Sequence, residues 1–333
     1  MAAIKSYKGF DKNLKCRDFQ YEIGKEYEMD GEIKVCNRGF HACESPFDVF
    51  DHYTMIDSRF CEVEQDGNIS KEDRGTKICS SKIKIKAELK LADMIYLGVE
   101  WLKEITSPEK IKTSIKDNSS GYGAKIGSSG YYAQIGSSGD GAKIGSSGYG
   151  AKIGSSGNDA KIGSSGDDAK IGSSGYGAKI GSSGNDAKIG SSGNYAKIGS
   201  SGYDAQIGSS GDDAQIGSSG DGAQIGSSGD DAKIGSSGNY AQIGSSGYGA
   251  KIGSSGYGAK IDSTGEGCVI MCAGINSVAK ASKGSWITLS EWSYSDKKQR
   301  YIPVCVKTEF VDGEKIKADT YYKLAGGVFK EIQ

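Results

Sequence analysis

A nine-residue period, kept without a slip through sixteen consecutive units, constrains this chain more than any other feature. From Ala124 the pattern A-K/Q-I-G-S-S-G-x-x recurs every ninth residue to Ala259, so residues 124–267 form one array. A degenerate unit, Ile115–Gly123, precedes it in the same register. Repetition at a fixed period is the mark of stacked repeats, in which no unit can hide its own apolar face. Within a unit the first and third positions are apolar and the second is Lys or Gln. This predicts a three-residue strand with Ala and Ile turned inward and the polar side chain outward. The following G-S-S-G supplies the turn, with glycines free to take positive φ and serines able to bond nearby amides. Nine residues are too few to close a coil. Two units give an 18-residue coil of two strands and three give a triangular 27-residue coil; the thin Ala/Ile core favours two sheets pressed together. At a strand spacing of ~4.8 Å, eight such coils make a rod of roughly 38 Å.

Other readings of the Gly/Ser-rich middle fit less well. A flexible linker has no reason to keep isoleucine at 126, 135, 144 and every ninth residue to 261. The calcium-binding nonapeptide roll, G-G-x-G-x-D-x-U-x, would put Lys161 at its inward apolar position. Its Asp position is filled by Asp in only six of sixteen turns (Asp159, Asp168, Asp186, Asp204, Asp213 and Asp231). An ice-binding plane would need a flat Thr row where this chain has Lys or Gln. The array carries eleven lysines and five glutamines at the outward strand position, and eleven aspartates in the variable pair between the turns. With Asp262 and Glu266 included its net charge is -2, and that of the whole chain is -1. Tight DNA binding is therefore not expected. Aspartate-rich corners keep a nucleic-acid mimic as an alternative.

The termini differ in kind. Residues 1–114 read as a small α+β domain. IKSYKGF, EIGKEYEM, RFCEVEQ and SKIKIKAEL are strand-like, SPFDVFDHYTMID opens as a helix, and LADMIYLGVEWLKEI is helical. Residues 268–333 read as a β-rich cap. Cys268-Val-Ile270, Ser277-Val-Ala279 and Trp286-Ile-Thr288 carry the clock onward, followed by antiparallel strands in SWITLSEWSY, YIPVCVKTEFV, DGEKIKADTYYKL and GGVFKEI. Trp286 and Trp292 are read as cap packing. The expected fold is thus mainly β: a parallel β-solenoid of nine-residue half-coils over 115–267 between an α+β N-terminal domain and a β-rich cap.

No signal-peptide h-region and no apolar run near ~18 residues is present, which leads us to expect a cytoplasmic protein, away from membranes, with free thiols. Cys36, His41 and Cys43, with Cys16, lie close enough in sequence to suggest a structural zinc, but the paired C-x-x-C knuckles of such sites are absent. His41 and His52 also suit ordinary core positions. No catalytic constellation or cofactor motif emerges, so neither metal nor cofactor is expected.

SYKGFDKNLKCRDFQYEIGKEYE, CNRGFHACESPFDVFDHY and VDGEKIKADTYYKL resemble a family of uncharacterised phage and prophage proteins, in which a GFHAC-containing domain precedes a Gly/Ser-rich solenoid. The resemblance implies a viral source and brings no catalytic residues. YKGF…GFHAC is also similar to the opening strands of ADP-ribosyltransferase-like folds, although His41 follows Phe40 and no late catalytic Glu accompanies it. The leading expectation is a non-enzymatic protein that binds a host protein, an oligomeric defence complex being one such target, with self-association left open. A virion or scaffold protein and an ADP-ribosyltransferase-like enzyme are the alternatives. Rigid tyrosines give contact area at low entropy cost, so Tyr131, Tyr149, Tyr176, Tyr203, Tyr248 and Tyr257 are the expected partner-binding residues. They form one aromatic strip only if the coil brings them to one edge.

Overall fold

The computed structural model describes residues 3–55, 57–72, 76–105 and 121–332. It divides into two compact units, Met1–Trp101 and Leu102–Gln333. The start of the degenerate unit at Ile115 lies outside the described residues.

In the N-terminal unit, β1 (Ile4–Phe10) lies between β5 (Phe40–Cys43) and β6 (Arg59–Lys71), and β7 (Lys77–Leu89) pairs with β5, β6 and β4 (Glu26–Glu28). The β6–β7 pairing closes β7, β5, β1 and β6 into a small antiparallel barrel. Phe10, Val63, Ile83 and Ile85 fill its interior. A buried polar knot satisfies itself beside them: Ser6 donates to Gln65 Oε1 at 2.7 Å, and Gln65 Nε2 donates to Phe40 O at 2.8 Å. β2 (Lys15–Cys16) and β3 (Phe19–Gln20) form a separate tight hairpin.

The helix expected from SPFDVFDHYTMID is only a 3-10 turn, Phe47–Asp51. Phe47, Asp48, Val49 and Phe50 are all buried in succession, so no apolar stripe alternates with a solvated face to sustain an α-helix. LADMIYLGVEWLKEI does form a helix, α1 (Leu91–Ile105), with Ile95, Val99 and Leu102 buried at i, i+4 and i+7. Gly98 lets it approach the Phe47 ring, which an added Cβ would strike.

The array is a parallel β-solenoid with two units per coil. Its eighteen short strands, β8–β25, run one per unit from Lys125–Ser128 to Val278–Ala281. Each pairs in register with the strand eighteen residues away, as Ile144 does with Ile126 and Ile162. The strands starting at Lys125, Lys143 and so on make the first sheet; those starting at Gln134, Lys152 and so on make the second. Ile and Ala from both face inward as one continuous core. The strand is longer than its sequence suggests. It begins at the second position and runs K/Q-I-G-S, because stacked neighbours supply partners for the glycine and serine backbone too, as in Ser147 N–H to Ser128 O at 3.1 Å. The turn is correspondingly shifted to S-G-x-x.

The C-terminal strands extend both sheets. β26 (Trp286–Ser295) and β27 (Arg300–Phe310) continue the first, and β28 (Tyr321–Ala325) and β29 (Val328–Ile332) continue the second. The last coil is one residue short: Val269 pairs with Trp286 and Ile270 with Ile287. Trp286 therefore stands at the outward position, 47% exposed, rather than packed in the cap. Trp292 does pack, its indole N–H reaching Ala273 O at 3.1 Å. Ile287, Leu289, Val311, Ile316, Tyr322 and Leu324 close the core.

Candidate binding surfaces

Two units per coil give the solenoid two edges. On the first, carrying residues 131, 149 and so on, the backbone of each turn is bonded to the turn above, as in Tyr132 N–H to Tyr149 O at 2.8 Å. The second edge, carrying residues 122, 140 and so on, repeats this, as in Asp159 N–H to Tyr176 O at 2.7 Å. The six tyrosines expected to bind a partner are split between them. Tyr131, Tyr149, Tyr203 and Tyr257 lie on the first edge, and Tyr176 and Tyr248 on the second. Tyr248 and Tyr257 thus face opposite ways, and a single aromatic strip does not form.

The variable pair has a structural grammar. The ninth position of every unit has positive φ, filled by Gly, Asp, Asn or Tyr. The six aspartates of the calcium-roll comparison all sit there, with φ of 51–55°, as turn residues. Asp and Asn tolerate this region because their short polar chains bond locally. At the eighth position Asp and Asn do something else. Each accepts, through Oδ1, the backbone N–H of the eighth residue one coil on: Asn158 from Tyr176 at 3.0 Å, Asn185 from Tyr203 at 2.9 Å, Asp230 from Tyr248 at 2.7 Å. A tyrosine ends such a ladder, since its ring offers the next amide no acceptor.

Tyrosines at the ninth position, which the sequence reading passed over, build the aromatic clusters. Tyr132 packs on Tyr149 at 5.7 Å, Tyr195 on Tyr176 at 5.1 Å and Tyr240 on Tyr257 at 5.5 Å. Their signal was present in the pairs Y-Y at 131–132 and N-Y at 194–195 and 239–240, where a bulky residue fills a turn position that elsewhere takes Gly or Asp. The Asp168 carboxylate beside the Tyr149 hydroxyl pushes its pKa up to about 12, so it stays a donor.

The N-terminal unit holds a cavity of about 1020 Å³ bounded by β1, β5 and the β2–β3 hairpin. Phe19, Tyr21, Tyr27 and Phe40 meet edge-on along its wall. Lys8 is buried, its Nζ 2.8 Å from His41 O and 3.6 Å from Cys16 Sγ. Burial drives its pKa down. Cys16 Sγ also accepts the Tyr53 hydroxyl at 3.0 Å, and His41 Nε2 accepts the Cys36 N–H at 3.0 Å. Of the would-be zinc ligands, the Cys16 thiol and the His41 ring thus have separate hydrogen-bond partners. Among the described residues no group of three or more His, Cys, Asp or Glu is placed to hold a metal. Burial raises the thiols of Cys61 and Cys79 to about 12 and 11, which keeps them protonated. Arg17, at the tip of the hairpin on the cavity rim, is held at φ 56°.

The fold and these surfaces define a repeat-protein rod with laterally displayed aromatic clusters, in a chain that also carries a small barrel with an internal cavity. Residues 4–97, the barrel unit, match a family described as a domain of unknown function (DUF7666). No curated protein and no solved structure matches the chain. Among the described residues, no helix is long and apolar enough to cross a membrane.

Proposed function

We propose that this is a non-catalytic binding protein whose solenoid grips a protein partner through the tyrosine clusters of its two edges. The observation that carries the reading is the placement of Tyr132, Tyr195 and Tyr240. A left-handed backbone costs a non-glycine residue about 1–2 kcal/mol, and most other units avoid that cost with Gly or reduce it with Asp. The three rings are 49%, 49% and 61% exposed, so they do not repay it by filling the core. Large rigid rings held outward at a cost to the fold suit contact with another macromolecule. The phage or prophage setting implied by the resemblance of the termini would make that partner a host protein, such as a defence factor.

The test uses the full chain as bait in host lysate, alongside a variant with Tyr132, Tyr195 and Tyr240 changed to Gly and Tyr131, Tyr149, Tyr176, Tyr203, Tyr248 and Tyr257 changed to Ser. The β-rich circular dichroism signal should persist, while a stoichiometric partner held by the wild type is weakened at least tenfold. Retention of that partner by the variant, or its loss only when the outward lysines are replaced, overturns the assignment.

A further inference from the structure

The flat face of the first sheet carries two parallel rows that the tyrosine reading leaves unused. Its lysine column runs unbroken from Lys125 to Lys197 at eighteen-residue steps, and after Gln215 resumes at Lys233 and Lys251. Beside it runs a glycine row, from Gly127 to Gly253 at the same steps, and both rows are largely exposed. Between them lies a shallow trough of about 1140 Å³ stretching from the coil of Lys125 to that of Lys233.

The glycines of this row are not required by the fold. A Cβ added at Gly127, Gly163, Gly199 or Gly235 meets nothing within 4 Å, and their φ values are ordinary. The contrast is with the seventh-position glycines, such as Gly202, where a Cβ would run into the carbonyl of the coil below, here Gly184. Further along the first sheet the same outward position holds Met271, with its side chain 54% exposed, so the solenoid accepts bulk there. Glycine inside a strand costs roughly 0.5–1 kcal/mol relative to Ala. A bare floor kept over eight coils is a place where another chain comes close to the backbone.

We propose that this lysine–glycine trough binds a linear acidic polysaccharide of the uronate type, laid along the rod axis. The charge is complementary: the outward strand positions of this face hold lysine, glutamine and glycine, while the aspartates sit at the edges. Lysines repeat every ~4.8 Å, close to the length of one sugar, so each carboxylate finds an ammonium within reach. Flat pyranose rings can settle on a floor that has no side chains. The lysine column ends at Val269 and Trp286, whose exposed indole lies 5.0 Å from Phe310 and offers a face on which a sugar ring can stack. Competing occupants fit less well. Single-stranded nucleic acid needs stacking platforms along its path, and the trough itself is lined by Lys, Gln, Ile and Gly. An acidic peptide along the axis would run across the strands, whose amides are already spent in the ladders, so it could not add as a strand.

Calorimetric titration of the full protein with oligomannuronate long enough to span the trough, at about 0.15 M salt, tests this. Neutral dextran, oligo-dT and phosphatidylserine vesicles serve as comparators. The wild type should bind the oligouronate and not dextran. Lys143, Lys161, Lys179 and Lys197→Gln together should weaken binding at least tenfold and still fold, since Gln215 already occupies this column. Gly145, Gly163, Gly181 and Gly199→Thr should leave circular dichroism intact and also weaken it tenfold. Lys152→Gln with Lys170→Gln, on the second sheet, should change it less than twofold. Absence of oligouronate binding, indifference to the threonines, equal loss from the second sheet, or tighter binding of oligo-dT or vesicles each overturns the proposal.

Discussion

Lys8 shows how much a single residue can be at odds with its surroundings. Its ammonium lies about 5.5 and 5.6 Å from the rings of Phe10 and Tyr21, and among the described residues its close polar neighbours are a carbonyl and a thiol. A buried cation without a carboxylate partner is an expense to folding. Lys8→Met should therefore raise the melting temperature, by about 4 °C or more if ~1 kcal/mol is recovered; a fall would mean that the bond to His41 O outweighs the desolvation. The nearby histidines give the same unit a pH dependence. Burial lowers the pKa of both His41 and His52 from 6.5. As pH drops the unfolded chain takes up their protons first, so stability present above pH 6.5 is lost progressively below it. Little of this was legible in the sequence. Lys8 shares a strand face with Phe10, so alternation places it inward, but a lone lysine on that face gives no sign in the sequence of how completely the barrel encloses it.

At the scale of the strand and turn, the repeat unit assigns its two kinds of glycine opposite duties. Gly202→Ala places a methyl inside the Gly184 carbonyl and should cost about 1–3 kcal/mol or more. Gly199→Ala, three residues earlier, points into open space and should gain about 0.5 kcal/mol. Urea midpoints of the two variants decide between these signs; similar losses for both would mean that the outward row is under the same backbone constraint. The sequence disclosed the period, the inward Ala and Ile rows and the span of α1, because each rests on periodic hydrophobicity. The two units per coil were legible only through the thin Ala/Ile core, since near-identical units give the two sheets the same strands and leave no period of two in the sequence. The one-residue slip before Trp286 was hidden, because aromatic and β-branched residues suit either register of a strand. The tyrosines at 132, 195 and 240 escaped because propensity argues against a ring where φ must be positive.

At the scale of the whole rod, the coil of two units means that eighteen residues, not nine, is the step that preserves faces. Removal of Ala178–Tyr195 deletes one coil and leaves every later strand on its own sheet. Removal of Ala178–Asp186 moves every later strand to the other sheet, so the lysine column runs from Lys161 to Lys188 and then into Gln206, Gln224 and Gln242. The core is the same either way, and stability in such stacks is close to a sum over repeats. Both deletions should fold with β-rich spectra and similar melting temperatures. The eighteen-residue deletion should keep oligouronate affinity within about threefold, and the nine-residue deletion should lose about tenfold, or ~1.4 kcal/mol. Equal affinities would show that the lysines act as a diffuse charge and not as a row.

The antiparallel ending of both sheets has a further consequence. A stack of in-register parallel strands ends on a surface that matches its own next layer, which is the geometry by which amyloid recruits fresh chains. Here the final strands reverse direction. On the first sheet the outermost, β27, carries Pro303, Lys307 and Glu309; on the second, β29 carries Lys330 and Glu331. Proline withholds a donor and charges resist pairing at an open edge. Growth by seeding is thus opposed at this end by strands of the same polypeptide, which turn a face that could template a further layer into one that does not.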